Sequence, residues 1–161
     1  MADSLQAYLE QVQKNGRSLE KLPPAMRDSE EVALAAVQQH GPALEFASDK
    51  MRGTKSVVRA AVAQDQASIN KNTVCSFRFA ADTLRNDRTF VAEAVQLSGH
   101  VLEFASPKLR DDETIVLAAV SVHKARALQH ASVRLRAHKP TVLAACVCYG
   151  YALQYASEEL R

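Results

Sequence analysis

The sequence predicts an all-α chain: a short helical-repeat solenoid of about six units of ~25 residues, each a longer helix plus a short helix and a helical turn. Three observations predict it. Near-copies of one pattern recur, as EVALAAVQQHGPALEFASDKMR at 31–52, TFVAEAVQLSGHVLEFASPKLR at 89–110 and TVLAACVCYGYALQYASEELR at 141–161. Inside each copy the apolar residues follow spacings of three and four, the mark of one helical face. Gly and Ser punctuate the copies at fixed places. A unit this short buries its apolar face only against its neighbours.

Aligned, the copies place Val12, Val37, Val62, Val95, Val120 and Cys146 in one column, preceded by Gln11, Ala36, Ala61, Ala94, Ala119 and Ala145. The Ala column lets helices of adjacent units approach closely. Upstream, Ser4, Ser29, Thr54, Asp87, Asp112 and His138 share a position. Five of the six carry a side-chain oxygen able to accept a bond from a free helical N–H, so the column reads as the N-cap of the longer helix. From Ser29, the run Val32, Ala33, Ala36, Val37 and His40 makes about three turns with one inner face. Gly16, Gly41, Gly99 and Gly150 then suit the left-handed residue that ends many helices.

The second helix carries Leu44, Phe46 and Ala47, matched by Leu102, Phe104 and Ala105, by Leu128, His130 and Ala131, and by Leu153, Tyr155 and Ala156. Leu and the aromatic read as core. Ser48, Ser106, Ser132 or Ser157 follows, and Ser106-Pro107 fits an N-cap with Pro at the first helical position. A last helical turn ends in Met51, Leu84, Leu109, Leu135 or Leu160. One domain over 1–161 is expected, with repeats at 4–28, 29–53, 54–86, 87–111, 112–137 and 138–161.

The V-L-A-A-V core, the Gly four residues on, the A-L-x-[FY]-A-S segment and the closing L-R-x-D make the repeat similar to the tandem units of the DUF4116 family. Residues 29–161 carry the resemblance, and 4–28 carry it weakly. It implies a tandem array and no assigned catalytic residue. Departures are Gln66 and Ala125 in the Gly column, Arg59 in an otherwise apolar column, and an insertion in the third repeat.

Composition bounds the function. A chain of 161 residues with 47% hydrophobic and 24% charged residues has enough apolar side chains for one core. The formal charge of +2 is too near neutral to argue for nucleic acid or an anionic membrane on bulk electrostatics. No signal-peptide pattern or membrane-spanning run is present, so no membrane insertion is expected. Cys75, Cys146 and Cys148 are too few and too odd in number for a disulfide framework, which points to a reducing intracellular compartment, cytoplasmic by default. His40, His100, His123, His130 and His138 fall in different columns with no ligand spacing. No P-loop, dinucleotide fingerprint or nucleophile elbow occurs. The expectation is therefore a protein that is not an enzyme and has no cofactor and no metal.

Candidate binding residues fall in three places. The Val columns are separated by 25, 25, 33, 25 and 26 residues, so about eight extra residues enter the third repeat, including Asn70, Lys71 and Asn72. Insertions in repeat proteins map to loops on one face, often the binding face. The closing Arg recurs at Arg27, Arg52, Arg85, Arg110, Arg136 and Arg161. It reads either as a phosphate track of an RNA-binding module or, preferably, as a cap or partner for acids such as Asp28, Asp87, Asp112 and Glu159. Finally, the two ends differ. Glu10, Gln11 and Lys21 make the first repeat polar, as a terminal cap should be. The last keeps Leu143, Ala144, Ala145 and Leu160 and adds Tyr149 and Tyr151 to Tyr155. Tyr149, Tyr151 and Tyr155 are thus the expected contact of a protein partner or a second copy, in a scaffold or accessory subunit, or equally the surface a next repeat covers where the chain is a fragment of a longer array.

Overall fold

The computed structural model describes residues 2–67 and 75–161. Among the described residues every regular element is helical, and the fold is all-α. The chain forms two compact units, Met1–Leu84 and Arg85–Arg161.

In the first unit the long helices are α1 (Ala2–Lys14), α2 (Glu30–Gln39) and α3 (Lys55–Ala67), with α2 packed on both α1 and α3. The seam is the expected one: Val12, Val32, Ala33, Ala36, Val37, Val57, Val58, Ala61 and Val62 are all buried. Each buried Val contributes about 1.5–3 kcal/mol relative to leaving it in water. After the long helices come shorter elements: 3₁₀-helices at Gly16–Lys21, Gly41–Phe46 and Ser76–Phe79 and α-helical turns at Pro24–Arg27, Asp49–Arg52 and Asp82–Arg85, the last residue of which, Arg85, begins the second unit.

The second unit repeats the arrangement with α4 (Arg88–Leu97), α5 (Glu113–His123) and α6 (Lys139–Cys148), where α5 packs on both neighbours. Its connecting elements are Val101–Phe104, Lys124–His130 and Gly150–Tyr155, followed by Pro107–Arg110, Val133–Arg136 and Glu158–Leu160. Phe90, Val91, Ala94, Val95, Ile115, Val116, Ala119, Val120, Val142 and Ala145 form its buried seam.

Several expectations need correction. Ser4 lies inside α1 rather than capping it. At the other predicted caps, Asp87 accepts a bond from the Phe90 N–H at 3.0 Å and Asp112 from those of Thr114 and Ile115, whereas Ser29 makes no side-chain cap bond. Thr54 instead donates its hydroxyl to the Lys50 carbonyl. His40 is exposed and terminates α2 instead of extending its inner face. The second element is a 3₁₀-helix in most copies, because only about six residues separate Gly from the following Ser. Its Leu is core at Leu19, Leu44, Leu102 and Leu128 but not at Leu153, and Phe46, Phe79, Phe104, His130 and Tyr155 are only half-buried.

At Gly16 and Gly41 glycine is needed for close approach, not for a left-handed backbone. A Cβ at Gly16 would lie 2.3 Å from the Ala36 carbonyl oxygen, and one at Gly41 would lie 2.5 Å from Asp65 Oδ1 and 2.7 Å from the Ala61 carbonyl. The 3₁₀ segment thus runs directly under the next long helix. Before it, Asn15, His40, Ser98 and Tyr149 are extended, with φ of −150°, −149°, −151° and −153°.

Candidate functional site

The closing Arg column works first through its backbone. The carbonyls of Arg27 and Arg52 accept bonds from the N–H groups of Ser48 (3.1 Å) and Ala81 (2.9 Å) in the first unit. In the second, those of Arg85, Arg110 and Arg136 accept from Ser106 (2.9 Å), Ser132 (2.9 Å) and Ser157 (2.8 Å). Each bond joins the end of one short helix to the start of the next. The seryl side chains extend this seam: Ser48 and Ser132 cap Met51 and Leu135, and Ser48 donates its hydroxyl to Asp28 at 2.6 Å.

The guanidinium groups do not behave as one set. Arg52 pairs with Asp49 and Arg161 with Glu158, each within its own turn. The acids expected to serve the column are otherwise engaged: Asp28 holds Ser48 and Lys50, Asp112 holds Arg88 at 2.7 Å, and Asp87 caps α4. Arg27, Arg110 and Arg136 each bury an Nε that has no hydrogen-bond partner.

In the second unit Pro107, Arg110, His130, Ser132, Val133 and Arg136 help line a cleft of about 330 Å³. Asp111 beside it is committed elsewhere, accepting from Ser132 Oγ and from Arg134 Nε at 3.0 Å. Those two bonds hold its carboxyl below the usual carboxylate range. His130 sits 3.9 Å from Glu103 through Nε2. Burial pulls its imidazole below the ordinary value, with Glu103 opposing and Arg110 assisting that shift.

In the first unit a different polar cluster lies under Gly41. Asp65 accepts from the Ser76 backbone N–H at 2.6 Å and from the Ser76 hydroxyl at 2.7 Å, which anchors the segment that follows the sequence insertion. Burial pushes its carboxyl up to about 6, against the lowering effect of both bonds. The insertion residues Asn70, Lys71 and Asn72 lie outside the described residues.

The last repeat exposes apolar side chains. Val147 is 88% exposed, Tyr151 81%, Leu143 54% and Leu153 40%. Leu143 and Val147 stand one turn apart on α6, so they share a face. The three tyrosines are not brought together in one exposed group, since Tyr149 and Tyr155 are half-buried and Tyr151 alone is open. Reasoning from the tyrosines missed Val147 and Leu153. The signal was in the columns: Val147 occupies the position of Gln38, Gln96 and Ser121, and Leu153 that of the buried Leu44, Leu102 and Leu128. Cys146 is likewise half-buried where Val37 and Val120 are buried, and Cys148 is an exposed free thiol.

Among the described residues no group of His, Cys, Asp or Glu could hold a metal ion, and no helix is long and apolar enough to cross a membrane. No curated protein and no solved structure matches the chain. The model of a domain of unknown function, DUF4116, matches three times, over residues 29–71, 67–110 and 87–136. With two-thirds of its length covered by matches that overlap as tandem repeats do, the chain belongs to the DUF4116 family.

Proposed function

We propose that this chain is a non-catalytic helical-repeat protein, a protein–protein interaction scaffold or accessory subunit of a larger assembly, and that it docks its partner on the outer face of the last repeat. The observation that carries the reading is Val147, a large apolar side chain left 88% exposed where the matching positions hold Gln38, Gln96 and Ser121. Burying it in an interface recovers about 1.5–3 kcal/mol, Leu143 adds apolar area on the same helix face, and Tyr151 and Leu153 are further exposed apolar side chains of the same repeat. Tyr151 supplies a large contact whose hydroxyl stays able to bond, the kind of side chain enriched at interfaces. The free thiols Cys75, Cys146 and Cys148 suit a reducing, intracellular setting.

The test is capture from a lysate of the source organism, with and without nuclease, by the intact chain and by a Val147→Gln, Tyr151→Ser, Leu153→Gln variant shown to be folded by circular dichroism. A protein retained after nuclease and lost in the variant is the expected result. Equal capture by both chains would remove the last repeat from the interface. Recovery of RNA, with every protein lost after nuclease, would replace the scaffold with a nucleic-acid module.

A further inference from the structure

We propose that the cleft between the short helices Pro107–Arg110 and Val133–Arg136 is an oxyanion site that binds the phosphate group of a small phosphomonoester. The inference is independent of the docking face. Arg110 and Arg136 both line the cleft, both bury an unpartnered Nε, and neither makes an ion pair among the described residues. Two uncompensated guanidinium groups at one opening favour a dianion, and their planar forks suit phosphate oxygens.

The column pattern sets this cleft apart within the second unit. His130 stands where Phe46, Phe79, Phe104 and Tyr155 stand elsewhere, and it lines the same opening as the two arginines. An imidazole there replaces an apolar ring with a group able to donate to an oxyanion. Glu103, 3.9 Å from His130, is the acid at this edge, while Asp111 is already held by Ser132 and Arg134. The wall also includes Val133, 73% exposed, which offers apolar contact to the organic part of an ester. A volume of about 330 Å³ admits a phosphate with a few carbon atoms.

Calorimetric titration of the full chain at low ionic strength, with inorganic phosphate in one arm and glycerol 3-phosphate in the other, tests this. The expected result is saturable binding of both, tighter for the ester, falling about tenfold in Arg110→Gln and in Arg136→Gln. Arg27→Gln, which removes a column arginine with the same buried Nε in the other unit, should leave it unchanged. Equal affinity for both ligands would overturn the phosphomonoester assignment. Absence of saturable binding, or an equal loss in Arg27→Gln, would overturn the site. Should the cleft variants not fold, side-chain NMR shifts of the unmodified chain decide: movement confined to Arg110, Arg136 and His130 supports the site, and movement equally large at Arg27 contradicts it.

Discussion

Leu128 and Leu153 occupy one column of the repeat, carry the same side chain and follow long helices of similar length, yet Leu128 is fully buried and Leu153 is 40% exposed. Gly41 and Gly150 differ in the same way, since a Cβ at Gly41 would meet the next helix and one at Gly150 meets nothing within 4 Å. In this architecture the work a residue does is set by whether a further repeat stacks on it, as much as by its type. The segment that holds Leu128 packs against the following long helix, α6, whereas Leu153 meets water.

The largest expected difference comes from truncating the paired leucines. Leu128→Ala should cost about 2–5 kcal/mol, and Leu153→Ala less than about 1 kcal/mol, because its side chain already meets water. Denaturant midpoints of the two variants measure this, and equal losses would break the comparison. Next, Gly41→Ala should destabilise by about 1–3 kcal/mol through its clash with Asp65 and Ala61. Gly150→Ala should be neutral or stabilise by about 0.4–1 kcal/mol through the unfolded chain.

A smaller effect separates the two units by pH. In the fold Asp65 titrates near 6 rather than 3.8, so the fold prefers its protonated form. Its contribution is fully present below pH 3.8 and is lost as pH rises through 6, an effect of about 1 kcal/mol once partial solvent access is discounted. His100 and His130 are shifted the opposite way, below 6.5 by burial. Their neutral forms contribute above pH 6.5, and that contribution is lost as pH falls through their depressed values. Acidification from pH 7 to 5 should therefore protect amides of Met1–Leu84 and expose those of Arg85–Arg161, read by native-state hydrogen exchange. Asp65→Asn should remove the first response and leave the second. The smallest expected change is from Val147→Gln, within about 0.5 kcal/mol of the parent in a thermal melt.

Much of the fold was legible because side-chain identity carries it. Val and Ala in register named the seam, and Asp87 and Asp112 named two caps. What escaped depends on the backbone or on neighbours. The bonds from Ser106, Ser132 and Ser157 N–H groups to the closing Arg carbonyls need no particular side chain at the acceptor, so the Arg column drew attention to its guanidinium groups instead. Six residues from Gly41 to Phe46 are too few for spacing to separate a 3₁₀-helix from an α-helix. Exposed apolar surface on the last repeat was legible as a region, but weighting aromatic character over column position selected Tyr149 and Tyr155 and passed over Val147. The cleft beside His130 brings Arg110 and Arg136 together across successive repeats, and spacing alone does not say which arginines find acids in their own turn.

The most direct test places one photo-cross-linking residue at position 147 and, in a second chain, at position 38, its exposed counterpart in an inner repeat. After irradiation in source lysate, a discrete protein adduct at 147 and none at 38 is the predicted result. Adducts of equal yield at both positions, or none at 147, would contradict docking on the last repeat.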